Sequence, residues 1–236
     1  LRSIRGYSSA VEGLLNYRFS KRIKEQKIKL HLVIDWFENQ VVDKGWNIGF
    51  NLHYPKIPSL GYRGYATPFN YLCAFPSEFE YKSGTLPSKI AVIGKGFIDP
   101  TREFAGSLKV EVSPAFRFQH VWNEAVEKPD SGYITIFIAL SIILDESLGI
   151  LNLLQEYLKT SDTKNLRFWI KPHPTMSESK LKKEFSDRWP KEFIFVEGYS
   201  IDYITRSDMI ISGMTTICLE SLASGTPVIA VENLKG

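Results

Sequence analysis

From Gly132 onward the chain repeats one pattern, in which short apolar, β-rich runs alternate with stretches of helical periodicity. The runs are Tyr133–Leu140, Leu166–Ile170, Phe193–Val196, Met209–Ile211 and Pro227–Val231. Between them Leu148, Leu151, Leu154 and Leu158, and later Leu219, Leu222 and Ala223, recur at helical spacing, so each connection is expected to turn an apolar stripe toward a sheet. Strands that read as continuous apolar runs are buried on both faces, and this alternation predicts a doubly wound parallel sheet. Ligands of such sheets bind where the strands end, at the carboxyl edge.

The first half is less regular. A basic helical segment over about Tyr7–Lys29 leads into a strand Lys29–Asp35; a short helix follows near Val41–Trp46 and a strand near Ile48–His53. Residues 54–88 carry Pro55, Pro58, Gly61, Gly64, Pro68, Pro76, Gly84 and Pro87 among many aromatics, which favours turns and fixed loops. Strands Lys89–Ile93 and Leu108–Val112 come next. The polar break at 121–131, with Lys128, Pro129, Asp130 and Ser131, is the expected linker between an α/β lobe at 1–125 and a second at 132–236.

Composition narrows the class without naming a function. The 236 residues are 44% hydrophobic and 23% charged, which excludes a disordered chain. A net charge of +3 is too small to predict a nucleic-acid or membrane surface by itself. The two cysteines, Cys73 and Cys218, lie far apart and away from histidines, so neither a disulfide framework nor a zinc site is expected, and a reducing cytoplasm fits. The longest apolar stretch, Tyr133–Leu144, is too short to span a bilayer. A chain opening on Leu1 and closing at Gly236, directly after an apolar run, is expected to be a fragment with its first lobe incomplete.

Chemistry gathers at two strand ends. Leu166–Ile170 runs into Lys171-Pro172-His173-Pro174, where two prolines fix the backbone around one histidine. An imidazole there can hydrogen-bond a phosphate oxygen or protonate a leaving group, with Lys171 adding positive charge; equally, His173 can simply pack against its loop. Met209–Ile211 runs into Ser212-Gly213-Met214-Thr215-Thr216 and a helix, whose free first-turn amides and hydroxyls suit an anion or serve only as a helix cap. Glu220 on that helix can accept from a ribose hydroxyl or stand in solvent. In the first half, Asp35-Trp36-Phe37-Glu38-Asn39-Gln40 ends a strand, and a carboxylate there can take a proton from an attacking hydroxyl or cap the next helix. Glu38 is the first candidate base and Asp35 the second. The aromatic run Gly61–Tyr65 and His53 fall in the loop region, His31 reads as structural, and His120 has no evident partner.

The order KPHP (171–174), FVEG (195–198), SGMTT (212–216), a helix with Glu220, and SGTPVIAVE (224–232) resembles the nucleotide-binding lobe of GT-B glycosyltransferases. More narrowly it is similar to bacterial surface-polysaccharide enzymes with His-Pro and Ser/Thr motifs: polysialyltransferases, capsular Kdo transferases and CDP-glycerol glycerophosphotransferases. The likeness covers about 132–236 well and the first half loosely. It implies an α/β, GT-B-like fold of two Rossmann-like lobes. It also implies a metal-independent, cytoplasmic transfer of a sugar from a nucleotide donor, CMP-linked by preference, to a glycan or lipid-linked glycan in capsule or lipopolysaccharide synthesis, with peripheral contact at the inner membrane. The donor's nucleotide would meet Lys171, His173, Glu197, Gly198, Ser212, Gly213, Thr215, Thr216 and Glu220; His173 would also act catalytically beside Glu38 and Asp35. No cofactor, metal or nucleic-acid partner is implied. The first lobe departs from the family's acidic motif ending in glycine, carrying Glu38-Asn39-Gln40 instead. Three rivals stand: a nucleotide-sugar 2-epimerase, whose Gly-Gly turn and paired acids are replaced here by Met214, Thr215 and Thr216, a CDP-glycerol glycerophosphotransferase, and a non-catalytic module on the same fold.

Overall fold

The computed structural model describes residues 7–67, 71–122, 132–185, 189–213 and 215–232. The expected linker residues Lys128, Pro129, Asp130 and Ser131, together with Pro68 and Met214, lie outside the described residues. The chain divides between Arg117 and Phe118 into two compact units.

In the second unit five parallel strands stand in the order β7-β6-β5-β8-β9: β5 (Ile134–Ala139), β6 (Leu166–Lys171), β7 (Phe193–Phe195), β8 (Met209–Ser212) and β9 (Val228–Ala230). Sequence order reverses between β5 and β8, which makes their carboxyl ends the switch point of a doubly wound sheet. Side chains alternate between two buried faces. Ile138, Ile150, Leu151, Leu154 and Phe168 pack on one, and Phe137, Ala139, Ile204 and Ile210 on the other. Helix α5 (Leu144–Thr160) buries Leu151 and Leu154 as its spacing predicts. Helix α8 (Thr216–Ala223) does not follow its leucines: Leu219, Leu222 and Ala223 are exposed, and the helix docks through Ile217 and Ser221. In a helix this short the face is set by the small Ser221, which lets the backbone approach, and by its hydroxyl bond to the Ile217 carbonyl at 2.7 Å.

The first unit holds a parallel sheet in the order β1-β2-β3-β4: β1 (Val33–Trp36), β2 (Ser59–Arg63), β3 (Lys89–Val92) and β4 (Lys109–Val112). Two expectations are corrected. Ile48–His53 is not a strand but the second half of helix α2 (Val41–His53), and a strand, β2, lies inside the Pro/Gly region read as loop. The helix persists because Gly45 and Gly49 let α1 (Tyr7–Glu25) cross it at backbone contact: a Cβ on Gly45 would stand 1.7 Å from the Gly13 carbonyl oxygen. Strand β2 is hidden in the sequence because its inward residues are Ser59, Gly61 and Arg63. Gly61 is needed there, since its Cβ position is 2.8 Å from both the Phe37 ring and Pro87. The first strand also starts later than Lys29, because α1 closes at Lys27 with the Ile28 amide donating to the Ile23 carbonyl.

Gly45→Ala is expected to destabilise the first unit by about 3 kcal/mol or more, because only backbone can yield at that crossing. Gly149→Ala, on an open face of α5, is expected to stabilise by about 0.5–1 kcal/mol. Urea unfolding of the two variants checks both signs.

Candidate functional site

In the second unit Lys171 on β6 and Ser212 on β8 both pair with Ala139, the last residue of β5, so the two motifs leave the sheet at one level on either side of it. A pocket of about 200 Å³ opens there, lined by Lys171–Pro174, Gly198–Ser200, Ala139, Leu140 and Ile217. It thus gathers the KPHP turn, the FVEG turn and the first turn of α8. Gly198 has φ 93°, a left-handed conformation that favours glycine and exposes the following Tyr199.

His173 is locked locally. Its Nδ1 accepts from the Thr175 backbone amide at 3.2 Å and lies 2.8 Å from the Thr175 hydroxyl. An amide can only donate, so the neutral ring carries its proton on Nε2, which leaves that N–H as the donor offered to a ligand. Among the described residues Lys171 has no carboxylate partner, so its charge is uncommitted. The amides of Thr216 and Ile217, in the first turn of α8, have no partner within the helix.

The Ser/Thr turn is only partly turned toward this pocket. Ser212 is fully buried and donates its single hydroxyl proton to the Ala139 carbonyl at 2.8 Å. In its 3.2 Å contact with Thr215 the Thr215 hydroxyl must therefore be the donor. Both protons are spent inside the fold, and the Thr215 amide is spent on the Gly213 carbonyl at 2.8 Å. Gly213 lines a different groove, with Asp145, Glu146 and Glu232. Those carboxylates make that side unsuited to phosphate, whereas the His173 side is cationic. Glu220 is not free: it pairs at 3.0 Å with His120, the histidine without an evident partner in sequence. Glu197 stands exposed, and its main-chain carbonyl accepts from the Tyr203 hydroxyl at 2.6 Å.

In the first unit Glu38 sits just past β1, and its carboxylate accepts from the Trp36 indole N–H at 2.7 Å. Neither Glu38 nor Asp35 caps α2. Asp43 does so, accepting from the Gln40 amide at 2.8 Å and from the Glu38 amide at 3.1 Å. Asn39 takes φ 63°, and its side chain donates to the Cys73 carbonyl at 2.9 Å, which fixes the turn that presents Glu38. Both carboxylate oxygens of Asp35 are buried without a hydrogen bond. Burial, reinforced by the charge of Asp43, pushes its pKa up to about 7, and the nearby Asn47 side chain offsets only part of this. Arg63, 1% exposed, ties loops together by donating to the Ala74 carbonyl at 2.6 Å and to the Thr101 hydroxyl at 3.3 Å. His31, read as structural, is exposed.

Sequence reasoning missed Ile217 and Tyr199 in the pocket, Thr175 behind His173 and Trp36 beside Glu38. Thr175 lies only two residues from His173, a spacing at which local side-chain bonds form, so a signal existed. Ile217 and Trp36 gave none, because apolar residues at these positions read as core.

No protein-family model and no curated protein matches the chain in sequence; the likeness lies in structure. S. aureus MnaA, in a co-structure with UDP, superposes with a TM-score of 0.57 at 11% identity, over 94% of this chain and 61% of that one. The glycotransferase of kitacinnamycin gives 0.57 at 11% identity, over 93% and 62%. A Listeria monocytogenes protein assigned as a UDP-N-acetylglucosamine 2-epimerase gives 0.54 at 12% identity, over 93% and 62%. The fold is therefore α/β and GT-B-like with two parallel sheets, and the chain spans about three fifths of the length of these structures.

A prediction follows from Asp35. Its folded pKa lies above the ordinary value of 3.8, so the native state holds an extra proton between about pH 4 and pH 7. This contribution to stability is complete below about pH 4 and is lost as pH rises through about 7. Asp35→Asn is expected to be more stable than the parent chain at pH 8, by up to about 4 kcal/mol, with the difference shrinking toward pH 4. Thermal unfolding across that range measures it.

Proposed function

We propose that this chain is part of a GT-B-type glycosyltransferase that takes a sugar from a nucleotide donor and passes it to a surface glycan or lipid-linked glycan. The observation that carries the reading is the His173 lock: a ring held by Thr175 with its Nε2–H free, beside the uncommitted Lys171, at the switch point of a parallel sheet. In this reading the second unit is the donor lobe. The β-side phosphate, or the single phosphate of a CMP-sugar, sits between Lys171, His173 and the amides of Thr216 and Ile217, which take up the charge that grows as the leaving group departs. The Thr216 hydroxyl is the remaining donor of the Ser/Thr turn; Ser212 and Thr215 support the turn from inside. The exposed ring of Tyr199 beside Gly198 offers a face for the base.

The first unit supplies the acceptor-side carboxylate. Glu38 is preferred, because it stands at the strand edge and Trp36 orients it. Asp35 has a pKa suited to a base near neutrality, but its oxygens are shut away from any acceptor hydroxyl. Asn39, in a conformation where glycine is at ease and asparagine is tolerated, supports matching Glu38-Asn39-Gln40 to the glycine-ended acidic motif of the polysialyltransferase-like enzymes. That likeness favours a CMP-linked acidic sugar, cytoplasmic action in capsule or lipopolysaccharide assembly, and peripheral contact with the inner membrane. The domains on this reading are an acceptor-side lobe over 1–125 and a donor lobe over 132–236. A second reading, nucleotide-sugar 2-epimerisation, draws support from the fold shared with MnaA and with the L. monocytogenes protein.

Calorimetric and thermal-shift titration with CMP, CDP, UDP and GDP tests the assignment. A cytidine nucleotide at about 100 times its Kd is expected to stabilise the second unit by about 2.7 kcal/mol. His173→Ala is expected to weaken that binding about 10- to 150-fold, the worth of one hydrogen bond to a charged group. Uridine selectivity would move the assignment to the epimerase, CDP with glycerophosphate release would move it to a glycerophosphotransferase, and no nucleotide binding would leave a non-catalytic module.

A further inference from the structure

We propose that Trp36, Tyr62 and Phe116 form a stacking platform for an oligosaccharide, along which an acceptor glycan lies with one hydroxyl at Glu38. This deepens the acceptor side of the proposed function and rests on it for the role of Glu38. Trp36 and Tyr62 are register partners on β1 and β2, so their rings leave the sheet on one face, at its carboxyl edge. Their centroids stand 5.8 Å apart with the planes at 72°, and Phe116 follows Tyr62 at 6.0 Å. Each step of the row is comparable with the width of a sugar ring.

The rings are held in place by their neighbours. Tyr65 stacks against Trp36 at 6.2 Å and 26°, and the Tyr62 hydroxyl donates to the Pro114 carbonyl at 3.1 Å. Gly64 lies against both rings: a Cβ there would stand 2.5 Å from Trp36 Cζ3 and 2.6 Å from Tyr62 Cε1. Despite this support Trp36 remains 44% exposed and Phe116 66%. Aromatic surface that is fixed and yet faces water is pre-organised for a ligand, because little side-chain freedom is lost when one arrives.

The carboxylate at the end of the row identifies the ligand. The indole N–H of Trp36 is committed to Glu38 Oε1 at 2.7 Å, and Glu38 Oε2 makes no hydrogen bond among the described residues. A carboxylate oxygen accepts, so a ligand that covers the indole must also bring a donor to Oε2. A pyranose does both: its C–H face, slightly positive, lies on the electron-rich face of a ring, and its hydroxyls donate along the rim. An acyl chain or an apolar peptide face would strip water from Oε2 and return nothing. A nucleic acid could stack its bases on the rings, but its phosphates would meet the charge of Glu38. Three rings in a row, rather than one, select a chain of sugars over a single sugar.

An array of defined mono- to hexasaccharides probed with the labelled chain, followed by saturation-transfer NMR on the glycan held best, tests it. Trisaccharides and longer chains are expected to bind about tenfold or more tighter than their single sugars, since one sugar reaches only one ring. Trp36→Ala and Phe116→Ala should each weaken the trisaccharide about tenfold. Trp36→Phe keeps a ring face and loses only the indole N–H, so it should stay within about threefold of the parent. Melting temperatures are read on the same samples; if Trp36→Ala melts early, Phe116→Ala, at an exposed ring, decides alone. No glycan retained, single sugars held as well as trisaccharides, or ring variants that bind like the parent would overturn the proposal. So would an RNA oligonucleotide that displaces the glycan and shows the same dependence on Trp36. CMP titration of these samples separates the two readings. Glycan binding without nucleotide binding keeps the platform and removes the transfer, whereas nucleotide binding without glycan binding removes the platform alone.

Discussion

The in-register pairing of β5 with both β6 and β8 through Ala139 is the constraint on which the candidate site of the second unit rests. One small residue, hydrogen-bonded on both sides, puts Lys171 and Ser212 at the same height, two strand spacings apart, or about 9–10 Å. That gap is bridged by the turn residues: His173 reaches in from one side, and the first turn of α8 from the other. A one-residue slip of β6 against β5 would turn Lys171 to the opposite face and bury its charge. The apolar faces on either side of the sheet forbid that slip, so the core's alternation of Phe137 and Ala139 with Ile136 and Ile138 also sets the register of the site.

Carboxylates are handled differently in the first unit. Asp43 accepts from two backbone amides and Glu38 from an indole, whereas the Asp35 oxygens are buried without a hydrogen bond, so burial pushes the Asp35 pKa up to about 7 and keeps it protonated only below that pH. Three acidic groups within nine residues thus take three bonding roles, decided by what each side chain meets. Below about pH 7 the protonated Asp35 spares Asp43 a second negative charge beside it.

The second unit was legible because its strands are apolar on both faces and α5 keeps its period, though α8 does not; each run became a strand within a residue or two of its expected ends. The first unit was less so. Strand β2 offers Ser59, Gly61 and Arg63 to the interior, which no hydrophobic pattern reveals, and the β-prone second half of α2 is helical because two glycines admit a neighbouring helix. The site divides in the same way. That Lys171-Pro172-His173-Pro174 lines a pocket at the strand end was readable from residue type, whereas the inward turn of Ser212, the pairing of Glu220 with His120 and the lock by Thr175 depend on where single hydroxyls and rings point, which residue spacing does not encode.

The glycine crossing of α1 and α2 has a mechanical consequence. Backbones this close have no side-chain layer between them to act as a bearing, so the two helices cannot slide past each other and must travel as one stiff plate. Asp43 rides on the first turn of that plate and grips the main chain of Glu38. A shift of α1 would therefore carry the first turn of α2 with it, and with that turn the main chain of Glu38.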